Sequence, residues 1–190
     1  KSGDASSWES DMGIDNISIN EVEGPSNLII SGDYFLDCEY FACGNIIIEP
    51  NSKLTIGPNG IVHMNAGDTI MVKGRGELIV NGGTITDADN GMWKGIEVWG
   101  NSSTHQYPDA NGAYDQGYLE IKNDALIENA FNAVTLWKPD DWNSMGGIIK
   151  AYNSTFKNNR RSVEFMSYQN FDPNSGNPRK NKGYFFECNF

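Results

Sequence analysis

Short apolar runs and turn residues alternate along the middle of the chain with a regularity that sets its architecture. Ile46-Ile47-Ile48, Leu54-Thr55-Ile56, Ile61-Val62-His63, Ile70-Met71-Val72, Leu78-Ile79-Val80, Thr84-Ile85-Thr86 and Ile96-Glu97-Val98 follow one another with turn residues between them. Short runs of this kind, rich in β-branched residues and bounded by turn signals, read as strands. Gly44, Gly60 and Gly76 recur every 16 residues (60 − 44 = 76 − 60), two strand-plus-turn units each time. A short fixed period predicts a solenoid.

The strands sort into three columns, because three runs pass before the pattern returns. The first holds residues 46–48, 70–72, 96–98, 134–136 and 163–165; the second holds 54–56, 78–80, 119–121, 148–150 and 184–186; the third holds 61–63, 84–86, 126–128 and 155–157. Coils stacked in this way pair as parallel strands ~4.8 Å apart. Alternation along Ile96-Glu97-Val98, Val134-Thr135-Leu136 and Val163-Glu164-Phe165 turns Ile70, Val72, Ile96, Val98, Val134, Leu136, Val163 and Phe165 into one core. Met71, Glu97, Thr135 and Glu164 then form the outward row. Asn81, Asn123, Asn153 and Asn189 each follow a second-column strand, and asparagine suits a tight corner because it tolerates the left-handed backbone.

Residues 1–27 are polar and read as an arm or linker, although Ile14, Ile17 and Ile19 leave room for one strand across the end of the solenoid. Leu28-Ile29-Ile30 and Tyr34-Phe35-Leu36 read as a capping coil, and the β-helix proper spans residues 28–190. The last coil lacks a third-column run, so a longer parent chain or a partner at that open end is expected.

The sequence resembles the secreted right-handed parallel β-helix proteins of the pectate-lyase-like superfamily. The resemblance rests on "SKLTIGPNGIVHMNAGDTIMVKGRGELIVNGGTI", "GMWKGIEVWGNSS" and "NSTFKNN", and it covers roughly Asn45 to Phe190. It implies an all-β, right-handed parallel β-helix of about five three-strand coils with an N-terminal cap; the right hand also follows the general preference of parallel crossovers. "WKGIEVWG" further resembles a segment of large bacterial surface proteins, which implies export and a mosaic parent.

Composition narrows the partners. A net charge of −11 argues against nucleic acid or an anionic membrane as the main partner, and no apolar run approaches the ~20 residues of a membrane span. The chain opens at Lys1 without a secretory signal, as it would after removal of a leader. Cys38 and Cys43 have a spacing that a turn can close into a disulfide, which would suit an oxidising, extracellular home; the other reading is three unreacted thiols, with Cys188 odd in either case.

Loop lengths point to where function sits. The corner between the first and second columns is short in the early coils, then expands to residues 100–118, 138–147 and 167–183. Insertions at one corner of successive coils stack into a wall, commonly a binding face. Trp99, Tyr107, Tyr114, Trp137, Trp142 and Tyr168 line it beside Asp109, Asp115, Asp140 and Asp141, with Tyr118, Phe171 and Asp172 nearby. Aromatic faces and carboxylates suit a neutral or basic polysaccharide, the acids offer oxygen ligands for Ca²⁺, and the rings can equally serve to pin their own loops.

Catalysis has four candidates. Glu97 and Glu164 lie two rungs apart in the outward row, ~9.6 Å by strand spacing, near the upper limit for an inverting carboxylate pair. Arg160 and Arg161 precede the Glu164 strand. In polysaccharide-active relatives, lyases use a basic residue with Ca²⁺ or a Lys-Arg pair and hydrolases use clustered aspartates. His63 and His105 fall in different columns, which leaves no triad or zinc site, and "GRGELIVNGG" leads into a strand rather than a helix N-terminus, so it is no phosphate loop. Two classes remain: a non-catalytic extracellular module, structural or glycan-binding and adhesive, and a polysaccharide lyase or hydrolase working in a groove along the first column.

Overall fold

The computed structural model describes residues 26–190 of the chain. The arm at residues 1–25, with its candidate strand at Ile14, Ile17 and Ile19, lies outside the described residues. Within them the protein is all-β, and every pairing between named strands is parallel.

The three expected columns are present. The first contains β1 (Leu28–Ile30), β4 (Ile46–Ile48), β7 (Thr69–Val72), β10 (Gly95–Val98), β13 (Asn132–Thr135) and β15 (Arg161–Glu164), paired in that order. The second contains β2 (Asp33–Leu36), β5 (Lys53–Ile56), β8 (Glu77–Asn81), β11 (Tyr118–Lys122), β14 (Ile148–Lys157) and β16 (Tyr184–Asn189), and the third contains β3 (Glu39–Phe41), β6 (Ile61–Met64), β9 (Thr84–Asp87) and β12 (Ala125–Glu128). β14 is one ten-residue strand that runs through the corner, pairing with β11 along its first half and β12 along its second, so these two columns join into one curled sheet.

The predicted register holds: Ile46, Ile70, Ile96, Val134 and Val163 stand in one file, and Met71, Glu97, Thr135 and Glu164 in the next. Ile70, Val72, Ile96, Val98, Val134 and Leu136 are buried, as expected. Phe165 is a correction. It is 57% exposed, because β15 is the last strand of its sheet and nothing stacks over the ring, which meets Phe185 edge-on. Trp93 was not foreseen as core. It is fully buried between the third and first columns, and its indole N–H donates to the Glu128 carbonyl at 2.9 Å.

Two local expectations change. Residues 28–36 do not make an atypical cap: β1 and β2 pair in register with β4 and β5, and β3 completes an ordinary coil. The disulfide is not formed either. Cys38 and Cys43 are free, since β3 rather than a turn separates them. Its three extended residues alone span ~10 Å of chain, more than the Cα separation that a disulfide bridges.

The left-handed corner after the second column falls on two of the four expected asparagines, Asn123 and Asn153, and misses Asn81 and Asn189. Because Asn81 pairs with Lys122, and Tyr152 with Phe186, the positive-φ row is Gly82, Asn123, Asn153 and Glu187. Asn189 lies in strand β16, opposite Thr155. Asn123 still donates to the Asn81 side-chain oxygen at 2.6 Å, one rung of the expected asparagine stacking.

Candidate functional site

The long corner loops, residues 99–117, 136–147 and 165–183, leave the first column at β10, β13 and β15 and return at β11, β14 and β16. Three buried amides brace them, Gln116 within its own loop and Gln106 and Asn170 between loops. Gln116 donates to the Asn101 and Thr104 carbonyls and accepts from the Asn101 N–H. Gln106 donates to the Gly146 carbonyl and accepts from the Lys182 N–H, while Asn170 accepts from the Gln106 N–H and donates to the Lys180 carbonyl. A buried amide left unpaired costs ~1–3 kcal/mol, so these cross-loop bonds hold the wall as one body. Isolated glutamines carry no sequence signal, and all three amides escaped the sequence reading.

The aromatic candidates divide. Tyr168 is half-buried and donates to the Thr104 carbonyl, so it pins one loop to another; burial raises its pKa to about 12. Tyr107 lies under the Lys182 ammonium, 4.2 Å from the ring centre. Tyr114 stacks on Tyr118 at 5.0 Å, with Lys150 over both rings. Trp99 and Trp137 follow Val98 and Leu136 and therefore occupy the same file on successive rungs. Lys138 lies 5.0 Å from the Trp99 ring centre.

Trp142 differs from the rest. It is 63% exposed, and its ring sits 5.2 Å from that of Trp137 at 34°. A 3₁₀ turn, Trp142–Ser144, presents it, capped by Asp141, whose carboxylate accepts the Asn143 N–H. Ser144 braces the same turn by accepting from the Lys138 N–H and donating to the Asp141 carbonyl. Trp137 and Trp142 thus make a platform braced through the Trp142 turn, and the buried Trp137 indole nitrogen has no hydrogen-bond partner among the described residues.

The acids are not gathered into a cation site. Asp109 caps its own turn through the Ala113 and Asn111 N–H groups, which hold its carboxyl below the usual range. Asp115 pairs with Arg75, Asp141 caps the Trp142 turn, and Asp140 is exposed with a positive φ of 68°. Among the described residues, no group of three or more His, Cys, Asp or Glu side chains could hold a metal ion.

Of the catalytic candidates, Glu97 lines a groove over the outer face of the first column, together with Lys94, Phe131, Asn132, Thr135 and Pro139; Glu164, Arg160 and Arg161 do not. Burial pushes the Glu97 carboxyl up, opposed by the Trp99 indole N–H that it accepts at 2.9 Å. Glu164 is held by Arg161 at 3.0 Å, and Arg160 lies over the Phe131 ring, 4.3 Å from its centre. The two glutamates are on the expected row, each tied to a neighbour of its own. The histidines stay apart: His63 stacks on Phe41 beside Glu39, and His105 meets Tyr107 and Phe171 edge-on.

Comparison of the chain with protein-family models, curated proteins and solved structures finds no match.

Proposed function

We propose that the chain is a right-handed parallel β-helix of about five coils that serves as a non-catalytic, extracellular glycan-binding and adhesive module of a bacterial surface or secreted protein. The extracellular setting follows from the sequence resemblance, and the hand from the general preference of parallel crossovers. One observation carries the binding role: Trp142 is held 63% exposed on a capped turn, against Trp137. Large exposed rings cost solvation, and rigid ones lose little entropy when a sugar face stacks on them. Support for a non-catalytic role comes from Glu164 and Arg161, which neutralise each other.

Retention on immobilised polysaccharides tests this. Trp142→Ala removes an exposed ring and should abolish retention while leaving the thermal midpoint within about 2 °C, a shift of a few tenths of a kcal/mol. Equal loss of stability and retention means that the rings only anchor their loops.

A second reading, a polysaccharide lyase or hydrolase, is favoured by the raised Glu97 carboxyl in the groove, since such a group suits proton transfer. New reducing ends or unsaturated sugars released by the wild type, and lost in Glu97→Gln, would decide for it.

A further inference from the structure

Charge is unevenly distributed along this acidic chain. Residues 26–124 hold 5 Lys and Arg against 13 Asp and Glu, a net of −8, whereas residues 125–190 hold 8 against 6, a net of +2. The late cations are unusual in their partners. Among the described residues, Lys138, Lys150, Lys182 and Arg160 make no salt bridge; each lies over an aromatic ring instead.

A lysine propped on a ring keeps its full charge and remains open to an anion on its other side, whereas a lysine paired with a carboxylate is neutralised. Two such lysines, Lys150 and Lys182, belong to the second-column edge of the loop wall. Lys150, on β14, is set by the Tyr114 and Tyr118 rings and donates to the Tyr114 hydroxyl at 3.2 Å. Lys182 is set by the Tyr107 ring and by its own N–H, which donates to the buried Gln106. Tyr184, two residues after Lys182, pairs directly with Lys150 on the neighbouring strand and is 46% exposed. The acid nearest in register is Glu120, opposite Lys150, and it is occupied by the Tyr152 hydroxyl at 2.6 Å and by Lys122 at 3.3 Å. Neither Lys150 nor Lys182 makes a salt bridge among the described residues.

We propose that Lys150, Lys182 and Tyr184 form a station for an acidic sugar residue, whose carboxylate or sulfate bridges the two ammonium groups while its ring lies on Tyr184. This rests on the glycan-binding reading and adds a charged site on a different edge of the wall from the Trp137–Trp142 platform. The ligand is then an acidic glycan in place of the neutral or basic one that the wall's aromatic and acidic composition suggests.

The test is a glycan array carrying each neutral backbone beside its uronate-bearing and sulfated forms, with single-stranded DNA as a control for charge alone. Wild type, Lys150→Gln/Lys182→Gln and Trp142→Ala are compared at about 50 and about 300 mM salt, a range that shortens the screening length severalfold. The wild type should bind acidic forms about tenfold better than the matching neutral ones and lose that gain at high salt. The double variant should lose the gain and keep neutral binding, whereas Trp142→Ala should abolish retention of both forms. The proposal is overturned if acidic and neutral forms bind alike, if the double variant keeps the gain, or if DNA binds as well as acidic glycan; in each case glycan binding through the tryptophans still stands. Absence of binding to every glycan overturns the glycan reading itself.

Discussion

Val134→Asp places a carboxyl where the register allows none. Val134 is fully buried, with Ile96 below it and Val163 above it in the same file. Losing the valine side chain from the core removes about 1.5–2 kcal/mol. At pH 7 the new acid must shed its charge to stay inside; holding a group of unfolded pKa ~3.9 neutral there costs roughly 4 kcal/mol at 1.36 kcal/mol per unit. A hydroxyl left without a partner adds about 1 kcal/mol or more. The total, about 7 kcal/mol, is comparable to the whole stability of a domain this size. Its pH dependence has a definite sign: the folded-state pKa is raised, so the unfolded chain binds fewer protons near neutrality, and the charge-related part fades as pH falls towards 4. Urea unfolding followed by circular dichroism at pH 7 and pH 4, referenced to wild type at each pH, should give a large deficit that shrinks to about 3 kcal/mol. Met71→Asp, on the outward row of the same column, should cost about 1 kcal/mol or less. A Val134→Asp deficit within about 1 kcal/mol of wild type at pH 7 refutes the inward register.

Other perturbations address single features. Gly95 has φ +121°, and a Cβ there would sit 1.6 Å from the Asn132 carbonyl oxygen, whereas Gly112 has φ +87° and open space around it. Gly112→Ala should therefore cost about 1–2 kcal/mol for backbone alone and Gly95→Ala at least twice that; equal midpoints in urea would contradict the close approach. Asp172 has its carboxyl pKa lowered to about 2 by the Ser175 N–H, Arg179 and the Asn174 N–H. A depressed pKa stabilises above the unfolded value of ~3.9 and is lost as pH falls through the folded one. Hydrogen exchange across residues 172–179 should accelerate between about pH 4 and pH 2, and Asp172→Asn should remove that step.

The columns were legible because strand period and turn residues are local signals. Ile96-Glu97-Val98 declares its inward and outward faces without reference to any other strand. β3 was missed because Glu39-Tyr40-Phe41 sits between two cysteines and lacks an aliphatic run, so the disulfide spacing outweighed it. Phe165 and Trp93 went wrong in opposite senses, because burial depends on what stacks above a residue, which alternation cannot report. The wall's position followed from loop lengths, but its interior did not. Gln106, Gln116 and Asn170 act through partners 10 to 76 residues away, and Lys150 finds Tyr114 across 36. Such distant pairings separated Tyr168, a pin between loops, from Trp142, a presented surface.

The most direct test of the glycan-binding account is a titration of the indole N–H resonances with the oligosaccharide bound most strongly on the array. Trp142 and Trp137, whose rings lie 5.2 Å apart, should shift together and saturably as a sugar face stacks on the exposed Trp142 ring. The buried Trp93 N–H, already bonded to Glu128, should stay in place. Saturable binding that leaves Trp142 and Trp137 unmoved contradicts the account.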